Sequence, residues 1–298
     1  MESKILMESG TNELEVLEFV IAGNSYGINV AKIREIINYQ PVTPVPNAHP
    51  SIEGIFMPRD TMITAVDLSN CLQLGEAKPG GLFVVTNFNK LDIAFHVENV
   101  VGIHRVSWTQ IMKPEATLSN SNEGISTGIV NIKGKLIVIL DFEKIISDIN
   151  PETSIKISEV DQLGERKRNT VPIVLAEDSA LLNKLVRDAL NKAGYTNVLS
   201  CADGQEAWDI LKDAENKGMI DETCKLVITD IEMPRMDGFR LLKLIKEDSK
   251  LNHLPVVIFS SLVNDEMRRK GESLGANAQL SKPEIGNLVM EVDALVNV

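Results

Sequence analysis

From Val171 onward the chain alternates short apolar runs with amphipathic segments, and no other feature of the sequence constrains the fold as tightly. Val171 to Leu175, Asn197 to Cys201, Lys225 to Thr229, Leu254 to Ser260 and Ala278 to Ser281 have the length and apolar content of buried strands. Ser179 to Lys192, Gly204 to Asn216, Asp237 to Glu247, Asp265 to Ser273 and Glu284 to Val296 carry helical periodicity. Strands that are each followed by a helix pair in parallel, with helices on both faces of the sheet. The expectation is a doubly wound, five-stranded parallel α/β domain over residues 171–298.

In such a sheet ligands bind beyond the carboxyl ends of the strands. The first run ends in Glu177 and Asp178, the third in Asp230, the fourth in Ser260 and Ser261, and the fifth in Lys282-Pro283. One Asp after a strand is ordinarily a helix cap or a turn residue. Three carboxylates, a hydroxyl and an amine in this order are a chemical set. Clustered carboxylates repel and call for a cation, and hard oxygen donors at a partly open site suit Mg²⁺ acting with phosphate. A carboxylate held there can attack a phosphoryl group. Lys282 supplies a point positive charge to the phosphoryl oxygens, and Ser260 a hydrogen bond.

The first half is built differently. Glu15 to Ile21 alternates and turns at Gly23-Asn-Ser25 into Tyr26 to Val30, a hairpin pattern. Gly81 to Thr86 and Leu91 to Val97 bracket Asn87-Phe-Asn-Lys90, and Ile129 to Ile132 and Lys135 to Leu140 bracket Lys133-Gly134. Val30 to Tyr39 places Val30, Ile33, Ile36 and Ile37 on one helical face and is expected as a short helix, followed by a Pro-rich loop from Pro41 to Pro50. Gly54 to Leu68 aligns with Gly128 to Phe142, with Gly, Ile, Ile and Asp in common, which suggests two similar β-subdomains. Residues 12–152 are therefore expected as an all-β domain, and the polar stretch 153–170 as a linker with a short ordered piece near Ile155 to Val160.

Composition removes several function classes. A net charge of −12 and a pI near 4.9 oppose nucleic-acid binding, which needs a basic surface to displace counterions. Arg166-Lys-Arg168 is too short a basic run to change that. No apolar stretch reaches the roughly 20 residues that span a bilayer, and MESKILMESG lacks the apolar core of a secretory signal. Cys71, Cys201 and Cys224 form no CxxC, and His49, His96, His104 and His253 have no partner at metal-ligand spacing; free thiols in a reducing cytosol are expected. The first half shows no helix-turn-helix, GxSxG elbow or P-loop, which favours an interaction module over an enzyme.

The stretches VLAEDS, VITDIEMPRMDG, PVVIFSS and LSKP resemble the receiver domain of two-component response regulators. The resemblance implies that Asp230 accepts phosphate from a partner histidine kinase. It further implies that Glu177, Asp178, Asp230 and the main-chain carbonyl of Glu232 hold Mg²⁺, that Ser260 and Lys282 contact the phosphoryl group, and that Pro283 follows a cis peptide. The family's switch aromatic, three residues before the Lys, is here Gln279. Phe19 to Val30, Glu35-Ile36, Pro44 to Ala48, Gly54 to Arg59 and Ala65 to Leu68 resemble the CheW-like coupling domain, two small β-barrels in tandem, with Met57-Pro-Arg-Asp60 where that family has Asn-Leu-Arg-Gly. On that resemblance Glu35, Ile36 and Arg59 fall at partner-binding positions, and Val97 and Val100 are core before they are groove-lining. A CheW-like domain followed by a receiver is similar to the CheV-type coupling proteins of chemotaxis. That architecture implies a non-enzymatic, phosphorylation-tuned, cytoplasmic adaptor, associated with membrane chemoreceptor arrays and bound to chemoreceptor tips and the chemotaxis histidine kinase. A phosphate sink localised by its first domain is the competing expectation.

Overall fold

The computed structural model describes residues 12–77, 79–88, 91–112, 125–151, 155–164, 166–262 and 264–296. The N-terminal MESKILMESG, the turn residues Asn89 and Lys90 and the domain limit at Glu152 lie outside the described residues. The chain divides into two compact units, one of Leu14–Thr153 and one of Ser154–Val298, with which the described residues Asn12 and Glu13 are grouped.

Among the described residues the first unit holds ten strands: β1 (Glu13–Ile21), β2 (Asn24–Asn29), β3 (Ile33–Asn38), β4 (Ile52–Phe56), β5 (Ile63–Asp67), β6 (Leu82–Phe88), β7 (Leu91–Val97), β8 (Asn99–Ser107), β9 (Ser126–Ile132) and β10 (Lys135–Leu140). They form two five-stranded sheets, ordered β8-β1-β2-β10-β9 and β3-β6-β7-β5-β4. The orders are equivalent when β1–β5 are matched with β6–β10. Each half of the unit gives its hairpin to one sheet and its remaining three strands to the other. The sequence repeat is therefore real, and its two copies are interlaced.

The repeated residues have identifiable tasks. After β3, Thr43 pairs with Ile55 of β4, and after β8, Met112 pairs with Ile129 of β9; each contact joins the opposite edges of its sheet and curls it into a barrel. Gly54 and Gly128 sit beneath these closures: a Cβ on Gly54 would lie 2.3 Å from the Thr43 carbonyl oxygen, and one on Gly128 2.3 Å from the Ile111 side chain. Asp67 and Asp141 each cap a helix, α1 (Leu68–Cys71) and α2 (Phe142–Ile149), their carboxylates accepting from Asn70 N and Lys144 N. Ile63 and Ile137 are buried in the two separate barrel cores, one built on Phe56, Phe83 and Val85, the other on Val16, Trp108 and Val130. A third core, with Phe19, Ile28, Phe95 and Phe142, is shared by residues of both sheets.

The helix expected over Val30 to Tyr39 is not formed. Only Val30–Lys32 makes a 3-10 turn, and Ile33–Asn38 is a strand paired antiparallel with β6, with Ile36 opposite Val84. Three β-branched isoleucines favour extended backbone, and an edge position on a sheet decides a segment too short to hold a helix alone. The helix α2 follows β10 where no element was expected; Phe142, Ile145 and Ile146 bury one face of it.

The second unit contains β11 (Ile173–Ala176), β12 (Val198–Cys201), β13 (Leu226–Thr229), β14 (Val256–Ser260) and β15 (Ala278–Ser281), all parallel, in the order β12-β11-β13-β14-β15. Helices α3 (Ala180–Lys192), α4 (Gly204–Lys217), α6 (Gly238–Glu247), α7 (Asp265–Leu274) and α8 (Ile285–Val296) follow the five strands, with a four-residue α5 (Ile220–Thr223) before β13. Ser179, Asp203, Asp237 and Asn264 cap α3, α4, α6 and α7 with their side chains. The doubly wound expectation is met strand by strand.

Candidate functional site

The sheet register brings the reactive residues to one edge. Ala176 is level with Thr229, and Ser260 with Ser281, so the residues that follow emerge side by side. Lys282 reaches back across that edge, its Nζ donating to Glu177 Oε2 at 2.7 Å and to Asp230 Oδ2 at 3.0 Å. Glu177, Asp230 and Lys282 are all buried, and Asp178 is half-buried. Asp230 is fixed further: Ile231 N donates to Oδ1 at 2.6 Å, and Thr229 Oγ1 donates to the Asp230 carbonyl at 2.8 Å. Gly238 is required here, because a Cβ would lie 1.9 Å from the Asp230 carbonyl oxygen. Asp237 beside it caps α6 by accepting from Arg240 N at 2.7 Å, which accounts for the Met-Asp-Gly sequence.

The electrostatics of the edge are unbalanced. Ligand oxygens of Glu177, Asp178 and Asp230 all lie within 4.8 Å of one another. Burial drives the Glu177 carboxyl well above its ordinary range; Lys282 opposes the shift, and the charges of Asp230 and Asp178 add to it. One ammonium faces three clustered carboxyl groups, and the donors are all hard oxygens. This set fits a divalent cation of the magnesium kind. Among the described residues it is the one group of His, Cys, Asp and Glu arranged for a metal.

The other residues expected at the edge are placed as follows. Ser260 is buried at the end of β14 with its Oγ accepting from Leu262 N at 3.2 Å. Glu232 lies two residues beyond Asp230 in the same loop. The Lys282–Pro283 peptide is cis. Gln279 packs over Gly271 of α7 and donates from Nε2 to the Arg268 carbonyl at 2.6 Å.

In the first unit Glu35 and Arg59, expected separately, form an ion pair of 3.1 Å. Arg59 is 80% exposed at the β4–β5 tip, with φ +50, between exposed Met57 and Met62. Ile36 is 41% exposed on the edge strand β3, so it is not a core residue, whereas Val97 is buried and Val100 half-buried against the shared core. Sequence reasoning missed the buried Glu18, which receives hydrogen bonds from Ser25 Oγ at 2.7 Å and Lys135 Nζ at 2.7 Å and lies 2.7 Å from His104 Nε2. The only signal was a Glu at an inward position of an alternating strand. His96 is likewise satisfied, 2.5 Å from Glu53 Oε1 and 2.6 Å from the Gly80 carbonyl.

Comparison with known proteins agrees with both units. The model of the CheW-like domain matches residues 15–150, and that of the response regulator receiver domain matches residues 173–293. The chemotaxis protein CheV2 of Helicobacter pylori is 30% identical, covering 87% of this chain and 86% of its own. The chemotaxis protein CheV3 of the same organism is 28% identical, covering 100% of this chain and 99% of its own. The chemotaxis protein CheW of Thermotoga maritima is 30% identical over 46% of this chain and 90% of its own length.

Proposed function

The chain belongs to the CheV family of chemotaxis proteins, a CheW-like domain followed by a receiver, and from that premise we propose that it is an adaptor tuned by phosphorylation at Asp230. It couples chemoreceptor tips to the chemotaxis histidine kinase through its first domain, with Glu35, Ile36 and Arg59 in the contact surface. The observation that carries this reading is the acidic edge, where one lysine bridges two buried carboxylates on neighbouring strands.

The residues suggest the chemistry. A carboxylate oxygen of Asp230 attacks the phosphorus of a phosphohistidine on the kinase. The P–N bond breaks, its electron pair passes to the imidazole, which takes a proton from solvent, and Asp230 becomes an acyl phosphate. Lys282 already touches Asp230 and can follow the charge onto the phosphoryl oxygens. Glu177, Asp178, Asp230 and the Glu232 carbonyl would hold Mg²⁺, which when bound offsets the charge of the acidic edge and of the phosphoryl group. Ser260 turns its Oγ from the loop backbone toward the phosphoryl oxygens.

Labelling with radioactive acetyl phosphate tests the assignment. The wild-type chain takes up one phosphoryl group in a Mg²⁺-dependent manner, and Asp230→Asn takes up none while keeping its fold. Undiminished labelling of Asp230→Asn would refute the assignment.

A further inference from the structure

The stretch expected as a linker is in large part built into the receiver. Residues Ile157–Leu163 form a 3-10 helix. Ile155 and Val160 are buried in the receiver core with Val186, Ala189 and Leu190 of α3 and Ile285, Val289 and Val292 of α8, and Ile157 and Leu163 pack against the same core. The segment fills the groove between α3 and α8. Polar contacts pin it at both ends. Glu159 Oε2 accepts from Gly286 N in the first turn of α8 at 3.3 Å. Further along, Arg166 donates from Nε to the Ala193 carbonyl at 2.9 Å and pairs with Asp293 of α8, which also accepts from the Tyr195 hydroxyl. Lys192 pairs with Asp161 at 2.6 Å, and Asn169 N donates to the Gly194 carbonyl at 2.7 Å.

The position of the first pin ties it to the acidic edge. Gly286 is four residues beyond Lys282, and Lys282 Nζ is bonded to Asp230. The start of α8 lies at the edge of the sheet where β15 ends, so the Glu159 carboxylate is held at the same edge as the phosphoacceptor. A phosphoryl group on Asp230 adds between one and two negative charges there. It draws Lys282 toward new oxygens, shifts the turn that leads into α8, and repels a carboxylate held at that turn. Gln279 has no ring to rotate into the sheet, and its amide is already engaged on α7.

We propose that residues 155–164 and 166–168 form a strap that serves as the receiver's output element, docked in the α3–α8 groove while Asp230 is free of phosphate and released at its Glu159–Gly286 pin when Asp230 is phosphorylated. This inference rests on Asp230 being the phosphoacceptor. The strap leads directly into the coupling domain, so its release changes the tether between the domains without any surface of the receiver having to bind a third protein. A docked and a released strap are two discrete states, as a switch requires.

Hydrogen exchange on the full-length chain tests the proposal, with beryllium fluoride and Mg²⁺ as the phosphoryl mimic. The amides of 157–163 are expected to be protected without the mimic and to exchange at least tenfold faster with it, and Asp230→Asn should abolish the change. Glu159→Ala removes the pin without touching the core, so its strap should exchange three- to tenfold faster even without the mimic, and the mimic should add little more. If the mimic slows exchange in the loops carrying Asp230 and Ser260 but leaves 157–163 unchanged, the strap proposal is overturned and the phosphoacceptor stands. If neither region responds, both are overturned.

Discussion

Glu18 in the coupling domain and Glu177 in the receiver are each about 3% exposed, yet their environments act in opposite directions. Burial alone would raise both. At Glu18 the hydrogen bonds from Lys135, Ser25 and His104 outweigh it and hold the carboxyl at about 2. At Glu177 burial prevails, opposed by Lys282 and reinforced by Asp230 and Asp178. A buried charge with both oxygens hydrogen-bonded serves the fold, whereas a buried carboxyl left in a repelling cluster of hard oxygens suits a cation. The two carboxylates thus separate the scaffold from the site.

That contrast can be broken by mutation and by pH. The largest effect is expected at Glu18→Ala, which leaves Lys135 and His104 without their acceptor. Both partners have access to water, so the loss in urea unfolding of the first domain should be about 3 kcal/mol or somewhat less. The acid side follows from the same residue. Its folded pKa lies below the ordinary value of 4.5, so its contribution is complete above that pH and drains away as pH falls toward 2. The first domain should lose about 2 kcal/mol over that range, and Glu18→Gln should flatten this part of the profile.

In the receiver the sign reverses. Asp178→Asn removes one of three repelling charges and should raise the midpoint of thermal unfolding in chelator by the equivalent of about 1 kcal/mol, while abolishing the stabilisation that millimolar Mg²⁺ is expected to give the wild type. A destabilised Asp178→Asn would mean that the cluster is structural. The smallest effect is expected at Arg59→Glu. With the side chain mostly in solvent, stability should change by about 0.5 kcal/mol or less, while binding to receptor and kinase weakens; wild-type binding would remove Arg59 from the contact surface.

The receiver was legible because its chemistry lies at strand ends in chain order. Five apolar runs place Glu177, Asp230, Ser260 and Lys282 without any knowledge of long-range pairing. The coupling domain was harder to read, because its order is set by strands that exchange between two sheets. The repeat of Gly54 and Gly128 was visible, but its cause, the passage of Thr43 and Ile111 over those glycines, depends on contacts distant in sequence. Ile33, Ile36 and Ile37 fit a helical face and a strand equally, and only pairing with β6 decides between them. The Glu35–Arg59 pair had the same obstacle. The strap carried a local signal that reached only as far as a short ordered piece near Ile155 to Val160: Ile155, Ile157, Val160 and Leu163 are apolar at close intervals in an otherwise polar stretch, and a linker in solvent has no need of them.

In the proposed function one chain joins receptor and kinase, and a phosphoryl group on Asp230 alters the joint. The most direct measurement is co-sedimentation of the full-length protein with receptor tips and chemotaxis kinase, with and without acetyl phosphate, for the wild type and Asp230→Asn. Both proteins should enter the complex, acetyl phosphate should change the amount or the kinase activity of the wild-type complex at least severalfold, and Asp230→Asn should not respond. Failure of the unphosphorylated protein to enter the complex, or an equal response from Asp230→Asn, would contradict it.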